Sequence, residues 1–540
     1  MKTASHPVAC VWRTTKDTKV TKERTERSLM RRHLLHIALV IALALGLRLY
    51  HLGHQNLWID ETWQVRIASQ PAAEIIRNYR PDTDRRLRDQ APLSLLVTHL
   101  FLSADRSEWN LRFPAAVFGT LTVIALLLLA REFFPYPTPA IAALFLSLSP
   151  LHIWYSQDAR WYAQWLCLLV FSYVAFVRAW KADRFPAWLS YAVLTLLAIY
   201  TFVFSFLAIA CQAVSALWLQ RVSPERPRFL RKFILVHLVV TAAAAPVLWV
   251  NLSQTGISTG TPRPTNPAAL GYTAFTYAAG LSLGPTLAYL HSLPAVSRVL
   301  LDHPVVVIVF AIFAPLLIFG LVRIWRLPAA AAVMVPWLAG PPLLIFLIAR
   351  LTHVIYEVRY TIIALPAFLL LLALGVDALK PAAVRRGAIA AVLACFALSL
   401  ANHYWNPSYG KEDVRGALAH VTATEFGQTA APVVTVGQIE TVAPYYGRGL
   451  DLVSPRNCGD GTESPGHLAT LRDFPALWLL VGRDWDQQGE HCLAALLRSH
   501  VVLERRRFAG VDLWHLGRRD QEKEVDDRVS SQVMRPTEPR

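Results

Sequence analysis

The stretch HIALVIALALGLRLYHL at residues 36–52 is an almost uninterrupted apolar run, and LWIDETWQVRIASQP follows it at residues 57–71. A helix needs about 20 predominantly apolar residues to cross a membrane, and the run is close to that length. Two adjacent acids, Asp60 and Glu61, stand just beyond its end. They are either solvated loop charges or part of a site at the membrane surface.

The composition of the 540-residue chain is typical of a membrane protein. Hydrophobic residues make up 54% of it and charged residues 17%, whereas soluble proteins have roughly 25% charged residues. Apolar segments of span length recur up to residue 403, and the rest of the chain has the charge and turn content of a soluble domain. We therefore predict an all-α polytopic membrane domain at residues 33–403 and a small extracytoplasmic α/β domain at residues 404–517.

The distribution of basic residues predicts the topology. The net charge of +16 comes largely from Lys and Arg residues that cluster between apolar segments, so we expect membrane lipids and no nucleic acid as partners. The basic tail at residues 1–32 predicts a cytoplasmic N-terminus by the positive-inside rule, and the charged tail at residues 518–540 is expected to be disordered. About 11 spans are predicted, at residues 33–52, 112–130, 139–155, 161–180, 186–202, 204–220, 232–250, 304–325, 329–349, 360–379 and 386–402.

Two long segments are predicted to lie outside the plasma membrane together with the C-terminal domain, namely residues 53–111 and 251–303. The apolar stretch at residues 91–102 is too short to span, because about 20 residues are needed. We predict that it forms a helix at the outer interface. Long external loops often carry function, and the first of them contains both Asp60 and Glu61.

A third acid follows the predicted third span. The segment LSPLHIWYSQDARWYAQ at residues 148–164 places Asp158 and Arg160 at the same predicted outer face as Asp60 and Glu61. Interfacial anchoring by the aromatic residues of this segment is an alternative explanation. The convergence of three acids on one face favours a functional site.

Four segments carry a family resemblance, and they occur in the family's order. They are IDETWQ at residues 59–64, LRFPAAVFGTLTVIALLLLAREFF at 111–134, SPLHIWYSQDARWYA at 149–163 and YEVRYTIIALPAFLLLLA at 356–373. Together they resemble the polytopic GT-C glycosyltransferases, specifically the bacterial relatives of protein O-mannosyltransferases (family 39) and of lipid A aminoarabinose transferases. The chain departs from the family at residues 89–92, where DQAP replaces His-Pro-Pro, and at Phe202, where the family often has His.

The resemblance implies an enzyme, a membrane glycosyltransferase with a polyprenyl-phosphate sugar as donor. The acceptor would be a hydroxyl group of a lipid or protein at the outer face, and the configuration of the sugar would be inverted. Which sugar is moved, a hexose or a pentose, is left open by the motifs.

Roles for the candidate site residues follow from this chemistry. Asp60 is the candidate base. Glu61 and Asp158 are further catalytic candidates that would hold the acceptor, tune the pKa of Asp60 or bind a divalent metal ion. The donor phosphate needs fixed cationic donors, and the candidates for it are Arg359, Tyr360 and Arg160, with the basic run RRLR at residues 85–88 as a weaker one.

The cysteines suggest one covalent link. Of the six cysteines, Cys458 and Cys492 fall in the predicted external domain. Disulfides persist in oxidising compartments outside the cytoplasm. We therefore predict a disulfide bond between these two residues.

Three other functional classes share some of these sequence features. A polytopic transporter or flippase of lipid-linked sugars would bind ions or protons through such acids, but it would be expected to have charges near the middle of its spans. A lipid-modifying transferase of the phosphoethanolamine type would be expected to carry a soluble domain with metal-ligand clusters. A non-catalytic scaffold is the third alternative. The acids at outer span ends favour the glycosyltransferase.

Overall fold

A computed structural model describes residues 34–81, 91–253, 265–286, 289–290, 296–352, 354–425, 431–455, 471–484 and 487–519. Up to residue 252 its helices are Leu34–Leu49, Ile59–Ala68, Ala72–Arg77, Pro92–Leu102, Glu108–Phe133, Thr138–Leu148, Pro150–Ser156, Tyr162–Ala182, Phe185–Thr201, Ser205–Val222, Arg228–Ala243 and Ala245–Leu252. The later helices are Ala268–Ala279, Val296–Asp302, Val305–Ile324, Pro328–Leu351, Val358–Thr361, Leu365–Asp377, Ala382–Trp405, Val414–Thr424, Ala443–Tyr446 and Gln488–Leu496. Five strands complete the described chain: β1 (Val433–Val436), β2 (Leu452–Val453), β3 (Ala476–Gly482), β4 (His500–Phe508) and β5 (Val511–Arg518).

The helical part is a multi-pass membrane domain. Within the described ranges, seven helices are long and apolar enough to cross a membrane, or eight if the bent pair Arg228–Ala243 and Ala245–Leu252 counts as one span. Each of the predicted spans contains a helix, but the predicted number of 11 is not confirmed. The predicted span at residues 232–250 corresponds to the bent pair, whose two helices meet at 66°.

The predicted third span, residues 139–155, is two helices rather than one. The first helix ends at Leu148 and the second begins at Pro150. Because Pro150 lacks an N–H, the carbonyl of Leu146 has no helical donor. The fully buried Arg48 supplies one, since its Nη2 donates to that carbonyl at 3.2 Å and its Nη1 to the carbonyl of Ser147 at 3.2 Å. The carbonyl groups at the break therefore have hydrogen-bond donors although they lie inside the membrane domain.

The helix Pro92–Leu102 has 11 residues, which is about 16 Å of helix against a hydrocarbon core of about 30 Å. It packs against the helix Ile59–Ala68, and Gln64 Nε2 donates to Thr98 Oγ1 at 2.9 Å. The prediction of a short helix here is confirmed. Its placement at the outer interface remains a prediction.

The C-terminal part is the small α/β domain that the sequence predicts. Its sheet has the order β2-β1-β3-β5-β4, with β1 parallel to both β2 and β3 and with β5 antiparallel to both β3 and β4. The helix Val414–Thr424 packs on one face of the sheet and the helix Gln488–Leu496 on the other. The short strand β2 was not predicted.

The structure describes one of the two cysteines of the predicted disulfide bond. Cys492 takes part in a disulfide bond, and its predicted partner Cys458 lies outside the described residues. Cys167, Cys211 and Cys395 are buried free thiols. The pairing of Cys458 with Cys492 remains a prediction.

The C-terminal domain packs directly on the first loop. Asn56 Nδ2 donates to Asp413 Oδ1 at 2.8 Å, and Arg415 pairs with Glu108 at 2.9 Å. The connection from the last membrane helix is short, because a single 3₁₀ turn at Pro407–Tyr409 separates it from these contacts. This linker therefore lies against the segment that carries the two adjacent acids.

Candidate active site

Asp60 and Glu61 lie in the first turn of the helix Ile59–Ala68. Trp58 is the N-cap residue, and its backbone N–H donates to Glu61 Oε2 at 3.2 Å. Acidic side chains are favoured in a first turn because the N-terminal end of a helix carries partial positive charge. Successive residues of a helix are about 100° apart around its axis, so the two carboxylates face different surroundings.

The Glu61 carboxylate is fully buried and has a donor on every side. Arg112 Nε and Nη2 donate to its two oxygens at 2.8 Å each, and Lys411 Nζ and the backbone N–H of Ala159 donate at 2.8 Å as well. Burial alone would raise the pKa of Glu61, but Arg112 and Lys411 hold that pKa well below its ordinary value. Glu61 is therefore ionised and has no oxygen facing solvent.

Asp158 lies near Glu61, beside the same Lys411 ammonium, and is also fully buried. Its Oδ1 accepts a hydrogen bond from Trp58 Nε1 at 3.1 Å, and Lys411 Nζ lies 3.8 Å from that oxygen. Burial raises the pKa of Asp158 to about 7, while Lys411 opposes the rise and Glu61 adds to it. Within the described residues its Oδ2 has no hydrogen-bond partner. Asp158 is thus poised to change charge near neutral pH.

Asp60 faces a different and less buried environment than Glu61. Its Oδ2 accepts from Arg359 Nη1 at 2.5 Å, and the Asp60 and Arg359 side chains are 24% and 20% exposed. Arg160 Nη1 donates to the backbone carbonyl of Asp60 at 3.1 Å. Burial works against ionisation of Asp60, but Arg160 and Arg359 together lower its pKa below the ordinary value. Asp60 is therefore an ionised carboxylate that is partly exposed to solvent.

Aromatic rings support the cations beside Asp60. The guanidinium of Arg359 lies 5.5 Å from the centroid of the Tyr360 ring. Tyr360 in turn packs on Phe202 at a centroid distance of 5.8 Å, and Phe202 stacks on Trp161 at 3.6 Å. Phe202 is the position where the family often has His. In this chain that position is therefore part of an aromatic wall rather than a hydrogen-bonding group.

The structure brings together all of the described residues that the sequence singled out, namely Asp60, Glu61, Asp158, Arg160, Arg359 and Tyr360. Sequence reasoning missed Arg112, Lys411 and Trp58. Arg112 lies in the second turn of the long apolar helix Glu108–Phe133, and a cation just before the apolar run could have been flagged as a partner of the buried acid. The basic run at residues 85–88 lies outside the described residues.

The arrangement on the Glu61 side does not fit a divalent metal ion. The Lys411 ammonium contacts both Glu61 and Asp158, and it therefore stands where an ion shared by the two carboxylates would bind. In the described part of the chain, no three His, Cys, Asp or Glu side chains cluster closely enough to hold a metal. We derive no step through a metal ion.

Comparison with known proteins identifies the fold. A family described as dolichyl-phosphate-mannose-protein mannosyltransferase matches residues 89–250. ArnT from Cupriavidus metallidurans is similar over 89% of this chain and 97% of its own, at 14% identity, with TM-scores of 0.54 bound to undecaprenyl phosphate and 0.55 in the apo state. The apo oligosaccharyltransferase of Archaeoglobus fulgidus is similar over 86% of this chain and 71% of its own, at 11% identity and a TM-score of 0.51. The chain has a GT-C glycosyltransferase fold. Among curated proteins, no sequence matches this chain.

The GT-C fold assembles the candidate site from distant parts of this chain. Asp158 and Arg160 lie inside the segment matched by the family, residues 89–250. Asp60 and Arg359 lie outside it, yet their side chains meet. The site therefore depends on the whole membrane domain of the GT-C fold and not on the matched segment alone.

Proposed function

We propose that this protein is a membrane glycosyltransferase that moves a sugar from a polyprenyl-phosphate donor to an acceptor hydroxyl at the outer face of the plasma membrane. The observation that carries the proposal is the Asp60–Arg359 pair, a partly exposed carboxylate and guanidinium in contact within a GT-C fold. Glycosyl transfer of this kind develops positive charge on the sugar and negative charge on the leaving phosphate. One carboxylate and one adjacent cation match those two charges.

Two arginines beside Asp60 support a sugar donor that carries a phosphate group. The similar ArnT structure contains undecaprenyl phosphate, and the matching family is described by a dolichyl-phosphate-mannose substrate. In this chain Arg359 donates to the carboxylate of Asp60 and Arg160 donates to its backbone carbonyl. Guanidinium groups bind phosphate oxygens through paired, charge-assisted hydrogen bonds. We assign Arg359 as the main phosphate ligand and Arg160 as a second one, with Tyr360 as the ring that supports Arg359.

Donor binding would change the state of Asp60. Arg359 now pairs with Asp60 and with Glu357, and a phosphate would compete for the same guanidinium. Once Arg359 turns toward phosphate, Asp60 loses a stabilising cation and its pKa rises toward the ordinary value. Asp60 becomes a better base when the donor is in place.

The transfer step can then be written in full. The acceptor oxygen forms a bond to the anomeric carbon, the bond from that carbon to the phosphate oxygen breaks, and polyprenyl phosphate leaves with the electron pair. The hydroxyl proton passes to Asp60 as attack proceeds, a contribution of roughly 10²–10⁴-fold. Inversion at the anomeric carbon is the stereochemistry that a single displacement requires.

Glu61 and Asp158 would support the position of Asp60 without contacting the substrate. The oxygens of Glu61 already accept from Arg112, Lys411 and the backbone, so it holds the first turn in place rather than contacting substrate. Asp158 holds the indole of Trp58, the residue immediately before that turn. Both residues would therefore act through the position of Asp60.

The proposal is tested with the purified full-length protein in nanodiscs. Synthetic polyprenyl-phosphate mannose and polyprenyl-phosphate aminoarabinose are supplied in turn, with envelope lipids or envelope proteins as acceptors. Mass spectrometry should find a sugar added to one acceptor class and free polyprenyl phosphate released in equal amount. Movement of intact donor across vesicles without bond cleavage would instead favour a flippase and would contradict the proposal.

A further inference from the structure

Lys411 is a buried cation that belongs to neither the membrane helices nor the sheet. It lies in the linker between the last membrane helix and the helix Val414–Thr424, and its side chain is only 7% exposed. Its Nζ lies 2.8 Å from Glu61 Oε2 and 3.8 Å from Asp158 Oδ1. A lysine ammonium is rarely buried without a carboxylate partner, and here it has two.

The surroundings of Lys411 show which of the two carboxylates depends on it. Glu61 is also held by both nitrogens of a bidentate Arg112 contact, so it remains ionised without Lys411. Asp158 has only Lys411 as a cation within 4 Å among the described residues. The titratable and charged groups that interact with Asp158 are Lys411, Glu61, Arg112, Arg160 and the phenol of Tyr155.

The linker is held where it is by contacts on both sides of Lys411. Glu412 pairs with Arg483 from the C-terminal domain, and the backbone carbonyl of Glu412 accepts from Asn56 Nδ2 at 2.9 Å. The guanidinium of Arg483 also lies 5.2 Å from the centre of the Trp58 ring. Docking of the C-terminal domain and placement of the Lys411 ammonium are thus parts of one arrangement.

We propose that Lys411 is a positioning residue for transfer, whose ammonium favours the charged form of Asp158 and thereby strengthens the hold of Asp158 on Trp58, at the start of the helix that carries Asp60. The C-terminal domain completes the site through this linker. An ionised carboxylate accepts a stronger hydrogen bond from the Trp58 indole than a protonated one does. The effect on transfer rests on the proposed function, whereas the effect on Asp158 does not.

The charge of Asp158 is measured first, without any substrate. The pH-dependent infrared band of its protonated carboxyl group is identified by its loss in Asp158→Asn. In Lys411→Gln the midpoint of that band should move to higher pH by at least about one pH unit, because an opposite charge has been removed. Lys411→Arg should keep the midpoint close to that of the wild type. Arg415→Gln is the matched control, since it breaks a second ion pair of the same interface and should leave the midpoint unchanged.

Transfer from polyprenyl-phosphate mannose or aminoarabinose is then followed against pH. With such a shift, Lys411→Gln should be about fivefold slower than wild type at pH 7, the loss in the ionised fraction of a group whose pKa moves from 7 to 8, and should recover at higher pH. An unmoved infrared midpoint, or an equal loss of transfer at every pH, would overturn the proposal. If the wild type forms no product from either donor, the proposed function fails, and the infrared midpoints still decide whether Lys411 sets the charge of Asp158.

Discussion

The two adjacent acids of the first loop have opposite environments. Glu61 and its partner Arg112 are 0% and 1% exposed, and the carboxylate is saturated with donors. Asp60 and its partner Arg359 are 24% and 20% exposed and lie at the edge of the cluster. The same pair of residue types, carboxylate and guanidinium, is therefore sealed from solvent at Glu61 and partly exposed at Asp60. Adjacent residues of one helix thus form a structural ion pair, Glu61–Arg112, and a candidate catalytic one, Asp60–Arg359.

The largest effect is expected for Glu61→Gln. Removing this charge leaves Arg112 and Lys411 buried with too little negative charge, and breaking a buried pair typically costs about 3–5 kcal/mol. The free energy of unfolding, measured by denaturant titration in detergent, should fall by about that much. Asp60→Asn, its matched partner, should lose less than about 1 kcal/mol because the Asp60 pair is partly exposed. Equal losses in the two variants would remove the distinction between the two sides.

A smaller effect is expected for Arg359→Ala, and it should appear in binding. Charge-assisted hydrogen bonds to phosphate contribute about 1.5–3 kcal/mol, so the Kd for undecaprenyl phosphate should rise about 10- to 100-fold. The unfolding temperature should change little. Arg178→Ala is a suitable control, because Arg178 pairs with Glu132 with half of its side chain exposed. Unchanged binding of undecaprenyl phosphate to Arg359→Ala would exclude this guanidinium as the phosphate ligand.

The last expected effect concerns the pH dependence of stability rather than a loss at one pH. A carboxyl group whose pKa is higher in the folded protein binds its proton more tightly there, so its contribution is complete below about pH 4 and is lost as pH rises through about 7. Wild-type stability should fall over this range by up to about 1.4 kcal/mol per pH unit from Asp158. In Asp158→Asn the fall should be shallower, and the variant should be the more stable protein at pH 8. Parallel pH profiles of the unfolding midpoint would argue against a raised pKa.

Much of the fold was predictable because membrane helices are specified by long apolar runs. The C-terminal sheet was predictable because its strands alternate apolar residues between two packed faces, as Val433 and Val434 do. The break before Pro150 was missed, since the apolar character continues across it and only Arg48, distant in sequence, satisfies the freed carbonyls. Local sequence patterns indicate where helices lie, but they do not show which distant side chain donates hydrogen bonds to the carbonyl groups at a helix break.

The candidate site was predictable to a similar extent. Motifs near span ends identified Asp60, Asp158 and Arg359, and the structure places them in one cluster. The separate environments of Asp60 and Glu61 were not predictable, because they depend on Arg112. Lys411 carried no local signal at all, since one lysine in a polar linker looks like any solvated charge. Its burial follows only from the way in which the C-terminal domain packs on the first loop.

The most direct test of the central claim, that transfer takes place on the Asp60 side, is the turnover of purified Asp60→Asn protein. The substitution keeps the size and most of the hydrogen-bonding shape of the side chain while removing its charge and basicity. With folding verified by an unfolding temperature within a few degrees of that of the wild type, turnover with a polyprenyl-phosphate sugar should fall by at least about 10²-fold, and donor binding should persist. Near-normal turnover would contradict the account and would make Asp60 a surface charge that pairs with Arg359.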